Sequence, residues 1–270
     1  MNANTETRAP ARTGWVSAAG KVNASLLSLV VAALAWEVIG RLADVPFFPP
    51  LSDVLGVLGD LITDGDIFGN LLTSLGNLAL GFALSLVAGL VVGTAMGRYR
   101  RVNAALGIYV YALLTAPSLV FAPIFFSILG AGQASIVAVV FMYSAFIMII
   151  NTASAVENVS DSLIEMGRSY GAGEWQLVTR VILPAAAPMI FAGIRLGMGR
   201  AVTGMINGEM FIAVVGLGRM VTQAGKRFDG AEVLAILLVI IAVALAAIAL
   251  VQFVDRKVTG WVPATSKESG

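Results

Sequence analysis

The chain has 270 residues, of which 58% are apolar and only 12% charged, against about 45–50% and about 25% in ordinary soluble domains. With a mean hydropathy of +0.89, that shortage of charge puts the protein in a bilayer, and a net charge of +1 leaves no excess of Lys and Arg to neutralise a nucleic-acid backbone. The chain contains neither cysteine nor histidine, which excludes thiol catalysis, disulfides, Cys/His zinc sites and His-based acid–base schemes. No Asp/Glu cluster with metal-ligand spacing interrupts the apolar segments.

A polar leader, residues 1–21, carries Arg8, Arg12 and Lys21 and precedes an apolar run over 22–42. A signal-peptide core is about 7–15 residues with a small-residue cleavage site. This run is closer to the roughly 20 residues that cross a bilayer as helix, so it is predicted to be the first span. Trp36, Glu37 and Arg41 fall near its far end, where an aromatic ring and snorkelling charges suit the interface. From Asp44 to Thr73 come Pro46, Pro49, Pro50 and five Asp, with no Lys or Arg. Ser52 is a plausible N-cap there, and Val54, Leu55, Leu58, Leu61 and Ile62 recur at helical spacing, which predicts a short helix on the membrane surface.

Further spans are predicted over 75–96, 104–129, 135–152, 189–214 and 231–254. In the second, Gly89, Gly93 and Gly97 form a small-residue stripe of the kind that lets another helix approach closely. Pro117 and Pro123 interrupt the third, either as kinks in a packing helix or as the border of a substrate path. The fifth has two faces at 100° per residue. Gly193, Gly197, Gly204 and Gly208 share one with Arg200 and Asn207; Met198, Met205 and Glu209 share the opposite one. The glycine face reads as a packing seam. The other is a candidate lining of a path, with packing the competing role for the methionines and an interhelical ion pair the competing role for Glu209. Gly216 to Gly230 is predicted to be a loop, and residues 258–270 a polar tail.

With the N-terminus in the cytoplasm, six spans leave Arg41, Arg219, Lys226 and Arg227 as the basic residues outside, so the positive-inside rule predicts that both termini and the segment 153–187 are cytoplasmic. Within that segment, Ser160 and Asp161 read as the start of a short helix ending near Tyr170. Gly171 and Gly173 can supply positive φ, Glu174 to Val181 can form a second short helix, and Pro184 can break the chain before Pro188 opens the next span. Such an elbow is either a docking element or a membrane-surface loop.

Glu165, Gly171, Leu183 and Pro184 occupy the register E-A-A, three residues, G, nine residues, I, one residue, L-P, with Val181 in place of Ile and Met166-Gly167 in place of the paired alanines. This pattern resembles the cytoplasmic motif of permease subunits of binding-protein-dependent ABC importers. The likeness continues through Trp36-Glu37, FFPPLSDV, LLTSLGNLALGFALSLVAGLVVG, APSLVFAPIFF and IRLGMGRAVTGMINGEMF, which look like the sulfonate, nitrate and taurine branch of that family. The resemblance implies an all-α polytopic membrane protein of the type I importer permease fold, with a transmembrane domain over 22–257. It also implies a homodimer in the inner membrane, two ATPase subunits and an external solute-binding protein. No G-x-x-x-x-G-K-[ST] loop occurs in this chain, so ATP and Mg would be bound by the partner ATPase. Docking would use Glu165 as a charged contact, Gly171, Ala172 and Gly173 as the elbow, Trp175 as an apolar anchor, and Leu183-Pro184 as its end. A secondary transporter or channel working without an ATPase, and a membrane-embedded enzyme, are the competing classes. The first lacks an inverted repeat to favour it, and the second lacks a cluster of catalytic residues. The cargo is expected to be a small organic or inorganic anion, with an aromatic acid or vitamin precursor as the alternative.

Overall fold

Helices account for nearly all of the computed structural model, which describes residues 16–43, 45, 47–212 and 214–260, the first ten of them as backbone. Arg8, Arg12, Pro46 and the tail from 261, with Lys267, lie outside the described residues. In chain order the helices are α1 Val16–Ala43, α2 Leu51–Thr63, α3 Asp66–Arg98, α4 Arg100–Thr115, α5 Ala122–Leu129, α6 Gln133–Glu157, α7 Asp161–Ser169, α8 Glu174–Leu177, α9 Leu183–Ile212, α10 Gly216–Lys226 and α11 Gly230–Thr259. Among the described residues, five stretches are long and apolar enough to cross a membrane, and six if α4 and the bent segment after it are one span. Their outward faces carry Leu80, Leu84, Val87, Val91, Leu237, Ile241 and Leu245 exposed, an arrangement that suits hydrocarbon rather than water.

The centre is a three-helix layer in which α6 lies between α3 and α9. Glycines set the spacing on both sides. A Cβ added at Gly89, Gly93 or Gly97 would come within 2.7, 2.6 and 2.4 Å of Met148, Thr152 and Ala153 of α6. On the other side, one added at Gly193, Gly197 or Gly204 would come within 2.4, 2.7 and 2.8 Å of Asn151, Met148 and Tyr143, while Gly208 sits 3.4 Å from Val139. Two glycine stripes far apart in sequence thus grip adjoining faces of one helix, meeting at Met148, as small-residue seams do in lipid. Gly81 extends the first stripe by meeting Val140.

The structure departs from the sequence expectations at four places. Ser52 is not the N-cap of α2. Pro50 holds that position, and the Ser52 N–H donates to Glu37 Oε2 at 2.9 Å. Because Trp36 Nε1 also donates to the Pro49 carbonyl at 3.1 Å, and Gly40 lies against Pro50, the Trp36-Glu37 pair clamps α2 to α1. The third span is not a kinked helix; the chain turns through 96° between α4 and the segment 118–129. Pro117 precludes continuation there, while Pro123 sits in the first turn of α5, where its missing N–H costs nothing. Residues 216–226 form a helix, α10, rather than a loop, burying Leu217, Met220 and Ala224 against α9 and α11. Its glycines read as breakers, yet the tertiary contact outweighs their low propensity.

The fourth departure lies at Pro184. The helix that starts at Glu174 runs without a break to Ile212, through a π-helical turn over Val178–Ile182. In that turn the Leu183 N–H reaches back to the Val178 carbonyl. The widened turn lets Pro184 enter the first turn of α9 without its ring striking a carbonyl in an unbroken α-ladder. Pro188 follows inside the same helix.

Candidate functional site

Two regions carry the polar chemistry, the elbow beyond the bundle and the centre of α9. In the elbow, α7 ends in a Schellman motif. Ala172 N–H donates to the Gly167 carbonyl at 3.1 Å and Gly171 N–H to the Arg168 carbonyl at 2.8 Å, with Gly171 at φ +78°, a conformation that favours glycine. Gly173 has φ −71°, so of the two candidate glycines only Gly171 needs positive φ. The N–H of Gly173 instead donates to Gln176 Oε1 at 3.1 Å, capping α8. Gly167, which stands in for an alanine of the motif, is buried, and a Cβ there would lie 2.6 Å from Leu177. This close approach folds α7 back onto α8.

A cross-brace fixes the elbow to the bundle. Glu174 accepts from Arg98, at the end of α3, at 2.8 Å and from Arg168 at 3.3 Å. Sequence alone gives Glu174 only as the start of a short helix, since nothing local points to an arginine 76 residues away. Outside this brace, Trp175 is 78% and Tyr170 87% exposed. Glu165 is exposed as well, with no ion pair among the described residues. Leu183 packs partly buried against the core, and Pro184 is exposed.

At the centre of α9, neither expectation for Glu209 describes its surroundings. Its side chain is wholly buried and has no arginine partner among the described residues. Ser74 Oγ donates to Oε2 at 2.8 Å, Asn77 Nδ2 to Oε1 at 3.1 Å, and the Gly218 N–H to Oε2 at 3.1 Å. Ser74 in turn accepts from the Leu217 N–H at 2.9 Å. Glu209 therefore ties α3, α9 and α10 together and lines no path in the protomer. Gly216 and Gly218 make room for it, since a Cβ at either would come within 2.3 or 2.6 Å of Glu209 atoms. Met205 is wholly buried in the same core, and Met198 borders an apolar groove between α3 and α11. Of the four path candidates, only Pro117 borders a polar cleft. That cleft, about 360 Å³, lies between the bend after α4 and the middle of α6 and α9, and its lining includes Ser118, Tyr143 and Arg200.

The comparisons with known proteins agree with this architecture. Residues 85–260 match the family described as the binding-protein-dependent transport system inner membrane component. The putative aliphatic sulfonates transport permease of Bacillus subtilis (strain 168) is 30% identical over 93% of this chain and 89% of its own length. The taurine transport system permease of Escherichia coli (strain K12) is 27% identical over 89% of this chain and 90% of its own. Among solved structures, a methionine ABC transporter in an inward-facing conformation superposes with a TM-score of 0.57 at 19% identity, covering 72% of this chain and 94% of that one. With all-helical architecture, a motif in register and a match over most of its length, the chain belongs to the binding-protein-dependent transport family, as an inner-membrane permease of an ABC importer.

Proposed function

We propose that two copies of this chain form the membrane pathway of an importer for small organic anions of the sulfonate kind, that both termini and the elbow face the cytoplasm, and that each elbow docks one ATPase subunit. ATP and Mg are bound and turned over by that partner, and an external binding protein delivers the cargo. The observation that carries the reading is the elbow itself. Two short helices are folded on each other at Gly167 and Leu177 and braced to α3 through Arg98–Glu174. They present Tyr170 and Trp175 to the surroundings, and the second of them runs without interruption into α9. An exposed aromatic pair on a braced lever is what a docking surface requires. A lever continuous with a central span converts closure of the partner into a rigid-body tilt, which is alternating access. The anionic cargo is supported by the relatives named for sulfonates and taurine.

The test is uptake by proteoliposomes containing the permease, the cognate ATPase and the binding protein. Sulfonate uptake is expected to require ATP. Gly171→Pro, incompatible with φ +78°, and Glu165→Lys are expected to leave the permease folded while lowering solute moved per ATP hydrolysed by about tenfold or more. Uptake without ATP, or full coupling in both variants, overturns the reading.

A further inference from the structure

Arg200 is a charge inside a long apolar helix that no partner answers among the described residues. It lies 12 residues before the end of α9 and 17 after its start, about 18 and 25 Å along the axis, which is near the middle of a span. Its side chain is exposed on the protomer, and no hydrogen bond or ion pair engages it among the described residues. Its neighbour on the same helix shows what a structural arginine looks like here, since Arg195 is bonded to Asp255 of α11 at 2.6 Å. A guanidinium at mid-bilayer is costly and has to face protein or a water-filled cavity.

The place it faces is the cleft behind Pro117. Tyr143 lines that cleft with its phenol oxygen accepting from Asn207 Nδ2 at 2.9 Å, so the ring is held and the phenolic O–H is left free to donate. Ser118, at the turn after Pro117, adds a hydroxyl with no protein partner among the described residues. Arginine, tyrosine and serine thus converge as donors, and no carboxylate lines the cleft. Three acids of the spanning helices have partners of their own within the protomer. Glu209 is buried with both oxygens engaged, Glu37 is bonded to Arg41 and Ser52, and Asp255 to Arg195.

We propose that Arg200, with the phenol of Tyr143 and the hydroxyl of Ser118, forms an oxyanion subsite inside the translocation path, which binds the negative group of the cargo partway across the membrane. The planar guanidinium fork matches a sulfonate or carboxylate, and the cleft's volume suits a small solute. The inference rests on the importer reading above and adds to it the residue that recognises the charge. A relay that holds the anion by one arginine in a mostly apolar passage lets it bind without being trapped.

The absence of native cysteine allows a test that needs no knowledge of the cargo. In the full complex with its ATPase, Ser118→Cys is modified with an anionic and a cationic methanethiosulfonate, and the ratio of the two rates is measured. Adding Arg200→Gln is expected to lower the anionic-to-cationic ratio by about tenfold or more, whereas Arg200→Lys, which keeps the charge, preserves most of it. In Ser118→Cys alone, millimolar methanesulfonate slows the anionic reagent and equimolar glycerol does not. An unreactive thiol in the Ser118→Cys variant, or a rate ratio that Arg200→Gln leaves unchanged, overturns the subsite. Methanesulfonate and taurine uptake by the otherwise unaltered complex is measured beside it, where Arg200→Gln is expected to lose about 10- to 100-fold. If the complex imports only uncharged solutes, the anionic-cargo reading falls whatever the thiol rates show; if the Arg200→Gln complex imports sulfonates as well as the native one, only the subsite falls.

Discussion

Glu209 shows how a single buried group organises its surroundings. Three donors converge on its carboxylate from two other helices, and no water reaches the side chain to replace it. Glu209→Ala is expected to destabilise the permease by roughly 1–3 kcal/mol for each donor left without a partner, visible as a lower midpoint of thermal unfolding in detergent. Gly216→Ala attacks the same cluster from the other side. It forces a Cβ to 2.3 Å from the carboxylate at a residue whose φ is +80°, so it should cost at least about 1–2 kcal/mol from backbone conformation alone. An unchanged midpoint in both variants would contradict the latch. Sequence alone identifies Glu209 as a group needing a partner, but it does not supply the partners. Ser74 and Asn77 are 135 and 132 residues away and carry no charge that would single them out.

At the scale of helices, the glycine periodicities are readable because a four-residue repeat fixes a face whatever the fold. What the repeat does not tell is that both stripes address the same partner, α6. Gly93→Ala is expected to push α3 away from Thr152 and the Ile149 carbonyl, which a Cβ would approach to 2.6 and 2.7 Å, at a cost of about 1–3 kcal/mol. Gly69→Ala, on the same helix with nothing within 4 Å, should be neutral or stabilising by up to about 1 kcal/mol. Equal unfolding midpoints for the two variants would argue against close packing as the reason for the stripe. The elements that a sequence reading misplaces share one cause. At residues 216–226 and at Pro184, local signals for ending a helix are real, and long-range packing or a π-turn overrides them. At Pro117 the signal for a break is genuine and its size is hidden, because no local rule separates a kink from a turn of 96°.

For the whole molecule, hydropathy and the distribution of basic residues carry the reading of a multi-span membrane protein, because the bilayer constrains length and charge more tightly than packing does. Its sidedness is a separate expectation with its own test. Ser162→Cys in the elbow should react with an impermeant thiol reagent only in inverted membrane vesicles, and Asp64→Cys, just past α2, only in intact cells with a permeabilised outer envelope. Labelling in the opposite sense would reverse the orientation and with it the docking proposal. If the orientation holds, the unbroken helical path from Glu174 to Ile212 has a mechanical meaning. Trp175 and Arg200 sit on the same shaft, about 37 Å apart at the α-helical rise, with no loop between them to absorb torque. The π-turn at Val178–Ile182 and Pro188 are the shaft's irregular threads, so a twist applied at the aromatic end arrives at the guanidinium as a change of heading rather than as slack.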